Sequence, residues 1–102
     1  MKFIKTQSAD GQEVEIFYQD IGAGQPIVLI HGWPLDHSMW DEQVTALTEA
    51  GYRCIAYDRR GFGKSDKPFN SYDYDTLSDD LNALMEALHL ENAVLIGFSM
   101  GG

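Results

Sequence analysis

The sequence is poor in cysteine and in basic residues, and each shortage removes a class of structure or function. Its 102 residues include one cysteine, Cys54, which excludes an internal disulfide and a cysteine-rich metal site. We interpret Cys54 as a buried, inert side chain within a strand. Lysine and arginine number 7 against 16 aspartates and glutamates, for a formal net charge of −9. Such a chain lacks the basic footprint with which proteins bind nucleic acid or anionic membranes.

Long apolar runs are also missing. No stretch approaches the length of a membrane span, and residues 1–7 contain no apolar segment of the signal-peptide type. We therefore expect a cytoplasmic location and no membrane partner. Repeats, low-complexity segments and linkers are missing as well, so residues 1–102 are predicted to form a single unit.

The apolar pattern predicts strands and helices that alternate along most of the chain. Two alternating runs flank the dipeptide Asp10-Gly11, which favours an antiparallel hairpin. Two uniformly apolar runs further along, 27–30 and 93–96, are typical of strands covered on both faces. The predicted strands cover 2–7, 12–20, 27–30, 52–57 and 92–97, and the predicted helices cover 39–50 and 75–88. This order implies an α/β fold with right-handed crossovers and a mostly parallel, twisted sheet. Ser38 and Thr76 are the expected helix caps.

The last predicted strand leads directly into Gly97-Phe98-Ser99-Met100-Gly101-Gly102, which has the pattern G-x-S-x-G. This pattern describes a sharp strand-to-helix turn that raises the serine hydroxyl clear of the sheet. The small residues Gly97 and Gly101 are needed because side chains there would collide with neighbouring backbone. Ser99 is the candidate nucleophile, and the backbone N–H of Met100 is a candidate oxyanion donor.

A second motif, His31-Gly32-Trp33-Pro34, follows the third predicted strand. An acyl-transfer site needs two backbone donors, and Gly32 permits the close backbone approach that the second donor requires. Trp33 is the candidate for this donor, because proline has no N–H. We interpret His31 as a hydrogen-bonding residue that shapes this loop.

The third motif, residues 58–66, follows the fourth predicted strand. Its Gly63-Lys64-Ser65 is similar to the end of a Walker A loop, but Asp58 stands where that loop requires glycine. Nucleotide binding is therefore not expected. We predict a tight, charged loop that braces the edge of the sheet.

Taken together, the three motifs resemble the N-terminal portion of the α/β-hydrolase fold family, and within it the group of cofactor-free haloperoxidases, perhydrolases and aryl esterases. The resemblance covers the whole chain. It implies five strands in the order 1-2-4-3-5 with an antiparallel first hairpin, the other strands parallel, and two crossover helices. It also implies a serine hydrolase acting on small esters without metal or cofactor, and a Trp33-Pro34 bond that is often cis.

In this family the acid and the histidine of the catalytic triad follow the nucleophile along the chain. None of the three histidines, His31, His37 and His89, is placed by the sequence to activate Ser99, and His37 is expected to be exposed. Two hypotheses remain. The chain is the nucleophile-bearing part of a serine hydrolase and is inactive alone, or it is a half-domain that forms homo-oligomers through the open edge of residues 92–97.

Overall fold

The computed structural model describes residues 2–8, 11–68 and 72–98, which contain five strands and two α-helices. The strands are β1 (Lys2–Gln7), β2 (Glu13–Ile21), β3 (Gln25–Ile30), β4 (Tyr52–Tyr57) and β5 (Val94–Gly97). The α-helices are α1 (Asp41–Glu49), which a short 3-10 helix (His37–Trp40) precedes, and α2 (Tyr74–Ala87).

The five strands form one mixed sheet in the order β1-β2-β4-β3-β5. β1 pairs antiparallel with β2, whereas β3 lies between β4 and β5 and runs parallel to both. The predicted fold, strand order and hairpin are therefore confirmed. β2 also meets β4 in antiparallel register, so the hairpin joins the parallel strands through an antiparallel pair.

Alternate residues of β3 and β4 pack against different helices, which explains why the last four residues of each strand are apolar and buried. On one face lie Val28, Ile30, Ile55 and Tyr57 together with Leu84 of α2. On the other face lie Ile27, Leu29, Cys54 and Ala56 together with Trp40 and Val44. Each fully buried aliphatic side chain contributes about 1.5–3 kcal/mol of burial free energy, so these two strands form the centre of the core. Burial raises the pKa of the Cys54 thiol, as expected for an inert cysteine.

Aspartates cap the 3-10 helix and α2, whereas α1 has no side-chain cap, and the prediction of Ser38 and Thr76 as caps was wrong. Asp36 precedes the 3-10 helix, and its Oδ1 accepts a hydrogen bond from the Ser38 backbone N–H at 2.9 Å. Asp73 precedes α2 and accepts from the Thr76 backbone N–H at 3.1 Å. In both turns the serine or threonine supplies the backbone N–H donor and the aspartate supplies the acceptor, because the carboxylate is the stronger acceptor.

β5 forms an exposed edge of the sheet. Its four residues pair with β3 in parallel register from Val94 opposite Ile27 to Gly97 opposite Ile30, and all four are solvent-exposed. The strand begins two residues later than predicted. Among the described residues no helix has the length and hydrophobicity needed to cross a membrane.

Candidate active site

The loops that follow β3 and β5 start side by side at the C-terminal edge of the sheet. The Phe98 N–H donates a hydrogen bond to the Ile30 carbonyl at 3.2 Å, immediately before the His31 loop begins. The predicted oxyanion loop and the segment that leads to the serine therefore lie next to one another. Ser99, Met100 and Gly101 fall outside the described residues, whereas Gly97 is the last residue of β5.

His31 is a completely buried side chain that joins two loops. Its Nε2 accepts a hydrogen bond from the Arg59 backbone N–H at 3.0 Å, so the ring proton resides on Nδ1. Nδ1 in turn donates to the Gly32 carbonyl at 3.0 Å. Burial lowers the pKa of His31, and the ring is accordingly neutral. Both nitrogens are committed to structural bonds.

Trp33 occupies the turn after His31, and its side chain is 65% exposed. The Leu35 N–H closes this turn on the Gly32 carbonyl at 2.8 Å. The Trp33-Pro34 peptide bond is cis, as the resemblance implied. The Trp33 backbone N–H donates to no group within the part of the chain that the structure describes.

Asp58 is the buried acceptor around which the following loop is organised. Its Oδ1 accepts from the His37 backbone N–H at 2.7 Å and lies 2.7 Å from His37 Nδ1. Its Oδ2 accepts from the Lys64 N–H at 2.8 Å. Gly63 makes this closure possible, because a Cβ there would overlap the Asp58 carboxylate.

The expectation that His37 is exposed was wrong, because this contact leaves its side chain only 11% exposed. The sequence contained a signal for a buried acceptor here, because the carboxylate of Asp58 directly follows a buried strand and Gly63 comes five residues later.

The rest of this loop is fastened to the sheet and to α2. Arg60 donates two hydrogen bonds to the Asp80 carboxylate, at 2.6 and 2.8 Å, and both side chains are almost fully buried. The Ser65 hydroxyl accepts from the Phe17 N–H at 2.9 Å, and the Asp66 carboxylate accepts from the Glu15 N–H at 2.9 Å. The loop braces the site edge of the sheet, as the sequence predicted.

Asp36, His37 and Asp58 also place potential metal-ligand atoms within 4.8 Å of one another. Two of these atoms are already joined by the His37–Asp58 hydrogen bond, and the Asp36 carboxylate accepts from Ser38. We therefore assign His37 and Asp58 to hydrogen bonding between loops, and Asp36 to the cap of the 3-10 helix.

Comparisons with known proteins place this architecture in a family. A family model described as the alpha/beta hydrolase fold matches residues 25–102. A non-heme chloroperoxidase of Kitasatospora aureofaciens is 53% identical over 89 residues, which are 87% of this chain and 32% of that protein. A bifunctional esterase/perhydrolase of Acinetobacter calcoaceticus is 41% identical over 91 residues, 87% of this chain and 33% of the relative.

A solved structure gives the same result in three dimensions. The crystal structure of a bromoperoxidase from Bacillus anthracis matches with a TM-score of 0.89 and 53% identity, over 99% of this chain and 36% of that one. The chain thus spans about a third of the length of its relatives. By sequence and by fold, it belongs to the α/β-hydrolase family and corresponds to the N-terminal portion of its haloperoxidase and esterase members.

Proposed function

We propose that this chain is the nucleophile-bearing part of a serine hydrolase that transfers the acyl groups of small esters. The observation that carries the proposal is that the Trp33 backbone N–H has no partner among the described residues. Trp33 lies in the loop that follows β3, and β3 is the neighbour of β5 in the sheet. An uncommitted donor at this place suits the oxyanion of a tetrahedral intermediate. The name of the esterase/perhydrolase relative supports the same reaction class.

In this reaction the Ser99 hydroxyl attacks the acyl carbon, and its proton passes to a general base. The N–H groups of Trp33 and Met100 hold the oxyanion. Collapse of the intermediate releases the alcohol and leaves an acyl-serine, which water or hydrogen peroxide then cleaves. His31 and Gly32 shape the oxyanion loop, whereas Gly97 and Gly101 flank the nucleophile. No metal or cofactor has a step in this scheme.

The general base comes from outside these residues, because each histidine of the chain is placed elsewhere. Both ring nitrogens of His31 are bonded. His37 packs against Phe17 of β2 and bonds Asp58 after β4, so it lies about 10 Å, two strand spacings, from the line of β5. His89 follows α2 and precedes β5, whereas Ser99 comes after β5 along the chain.

A chimera tests the role of Ser99. Residues 1–102 replace the matching third of the Acinetobacter esterase/perhydrolase, and hydrolysis of p-nitrophenyl acetate is measured. We expect activity that Ser99→Ala abolishes and that Ser78→Ala, a change at an exposed serine of α2, leaves intact. A folded chimera in which Ser99→Ala remains active would refute the proposal. The 102-residue chain alone is expected to match its own Ser99→Ala variant, because serine without a base is a weak nucleophile.

The exposed β5 edge favours a second candidate function, self-association. Val94, Leu95 and Ile96 are 47%, 49% and 36% exposed, and β3 is the strand's one partner in the described sheet. Unpaired backbone groups beside apolar side chains are a template for pairing with a second copy.

Light scattering after size exclusion tests this candidate. We expect a concentration-dependent dimer that Leu95→Lys weakens, because a charge on an edge strand disfavours pairing. Phe3→Lys on the opposite edge strand is the control and should leave the dimer unchanged. A monomer at every concentration would rule this candidate out.

A further inference from the structure

A cavity of about 400 Å³ opens beside the loop that carries Trp33. Its apolar walls are Trp33, Phe62, Tyr72 and Leu77, and its charged lining residues are Arg59 and Arg60. This volume lies within the range of small-molecule sites, which combine apolar walls with a few polar groups. The cavity lies in the loops after β3 and β4 and at the beginning of α2.

The Tyr72 wall depends on a glycine. Gly61 has a φ of +86°, and a Cβ at this position would lie 2.8 Å from the Tyr72 ring. The absence of a side chain at residue 61 therefore lets the tyrosine ring close one side of the cavity. The Tyr72 hydroxyl donates to the Pro68 carbonyl, which fixes the ring in this place.

Within the described residues, Arg59 differs from the two other arginines of the chain in having no carboxylate partner. Arg53 donates two hydrogen bonds to Asp20, at 2.9 and 2.6 Å, and Arg60 forms a similar pair with Asp80. The Arg59 side chain is bonded only to the His31 carbonyl, at a long 3.4 Å, among the residues described. Yet Arg59 is 7% exposed.

A buried guanidinium without a counter-ion is unfavourable, and its fork of donors matches a carboxylate. The chain carries 16 acidic residues, but none of those described pairs with Arg59. An anion that entered the cavity would supply the missing partner. The aromatic walls would cover the apolar part of the same ligand.

We propose that this cavity binds a small aromatic carboxylate, with its carboxylate on Arg59 and its ring between Trp33, Phe62 and Tyr72. This proposal depends on Arg59 and the cavity, and it does not require acyl transfer at Ser99.

Calorimetric titration of the 102-residue chain with benzoate tests the site. We expect saturable binding that is at least about tenfold tighter than that of benzamide, which keeps the ring but loses the charge, or of inorganic phosphate, which keeps the charge but loses the ring. Quenching of tryptophan fluorescence locates the ligand, because Trp33 is 65% exposed and Trp40 only 8%. Trp33→Phe should remove the quenching, because the remaining tryptophan, Trp40, is buried in the core.

Variants test whether binding requires the Arg59 guanidinium or only the overall positive charge of the chain. Arg59→Gln is expected to weaken benzoate binding about tenfold or more, and Arg59→Lys to weaken it less. Lys5→Gln, which removes the same charge from the distant hairpin, should have no effect. Equal binding of benzoate and benzamide by the unaltered chain would overturn the proposal. So would the absence of saturable benzoate binding, equal binding of phosphate, or an unchanged affinity in Arg59→Gln.

Discussion

The Asp58 carboxylate lies 2.7 Å from Nδ1 of His37, and this contact joins the two loops that follow β3 and β4. Asp58 accepts from the backbone of both loops as well, through the N–H groups of His37 and Lys64. The turn that contains Trp33 lies between His31 and His37. Its position is therefore held at both ends by residues of the second loop, the Arg59 N–H at one end and the Asp58 carboxylate at the other.

Replacing Asp58 with asparagine should destabilise the fold. Asparagine keeps one acceptor oxygen and turns an NH₂ group toward an N–H donor, which leaves a buried donor unsatisfied. We expect the free energy of unfolding in urea to fall by about 1–3 kcal/mol. Asp79→Asn, at an exposed position of α2, is the control and should change it by less than about 0.5 kcal/mol. Equal effects of the two substitutions would contradict the role of Asp58.

Gly63→Ala should be more destabilising than an alanine at another glycine with positive φ. At residue 63 the new Cβ overlaps the Asp58 carboxylate, and φ is +52°. Gly51 has a φ of +94° with no atom within 4 Å of the Cβ position, so Gly51→Ala measures backbone strain alone. Thermal unfolding should show a loss of about 1–2 kcal/mol for Gly51→Ala and 1–3 kcal/mol more for Gly63→Ala. A Gly63→Ala variant no less stable than Gly51→Ala would show that the loop can move away.

Arg60 and Asp80 should both have to be present for the buried pair to stabilise the fold. Arg60→Met leaves a buried carboxylate without its partner, and we expect a loss of about 3–5 kcal/mol. Adding Asp80→Leu should restore a large part of this loss, because the double variant leaves no unpaired charge at this position. Arg53→Met breaks the more exposed pair with Asp20 and should cost less than Arg60→Met. If the two single arginine variants lost the same stability, burial would not be the cause.

His31 should make stability fall in mildly acidic solution. Its pKa is lowered by burial in the folded chain, whereas the unfolded chain titrates near the ordinary value of 6.5. As the pH falls below about 6.5, the unfolded state binds a proton that the folded state does not, so the free energy of unfolding decreases by up to about 1.4 kcal/mol per pH unit. Above this window the contribution of His31 is constant.

Urea unfolding between pH 5 and 8 measures this slope, and the NMR titration of the His31 ring assigns it. A ring that titrates above pH 6.5 would contradict the prediction.

The Asp20 carboxylate affects stability in a different, more acidic pH range. The hydrogen bonds from Arg53 lower the pKa of Asp20, so the stability that this pair supplies is lost only as the pH falls below about 4.

Local sequence patterns predicted the elements, but the contacts that build the site are long-range. The apolar run Ile27–Ile30 indicated a strand covered on both faces, since no other element suits such a run in this context. The strand order came from the family resemblance rather than from any local pattern. The burial of His37 could not be predicted from its neighbours in the sequence, because it depends on Asp58, which is 21 residues away along the chain.

The helix caps show a second limit of local reasoning. Asp73 and Thr76 are both good capping residues, and the pattern alone does not say which side chain accepts and which backbone donates. Arg59 shows a third limit. Its neighbour Arg60 has the same chemistry and also lines the cavity. Only the folded structure shows that Arg60 is paired with Asp80, whereas Arg59 has no carboxylate partner among the described residues.

The position of β5 has a consequence for the order of folding. None of its side chains belongs to either of the two core clusters, so detaching it from β3 breaks a short ladder of hydrogen bonds but exposes little apolar surface. Local opening of this kind has a lower free energy than global unfolding, and the amides of β5 should therefore exchange with deuterium earlier than those of β4. The four strands and two helices that carry the core can consolidate first. The segment that leads to Ser99 is then positioned in a late, separable step, so the chain can be well folded before its nucleophile is in place.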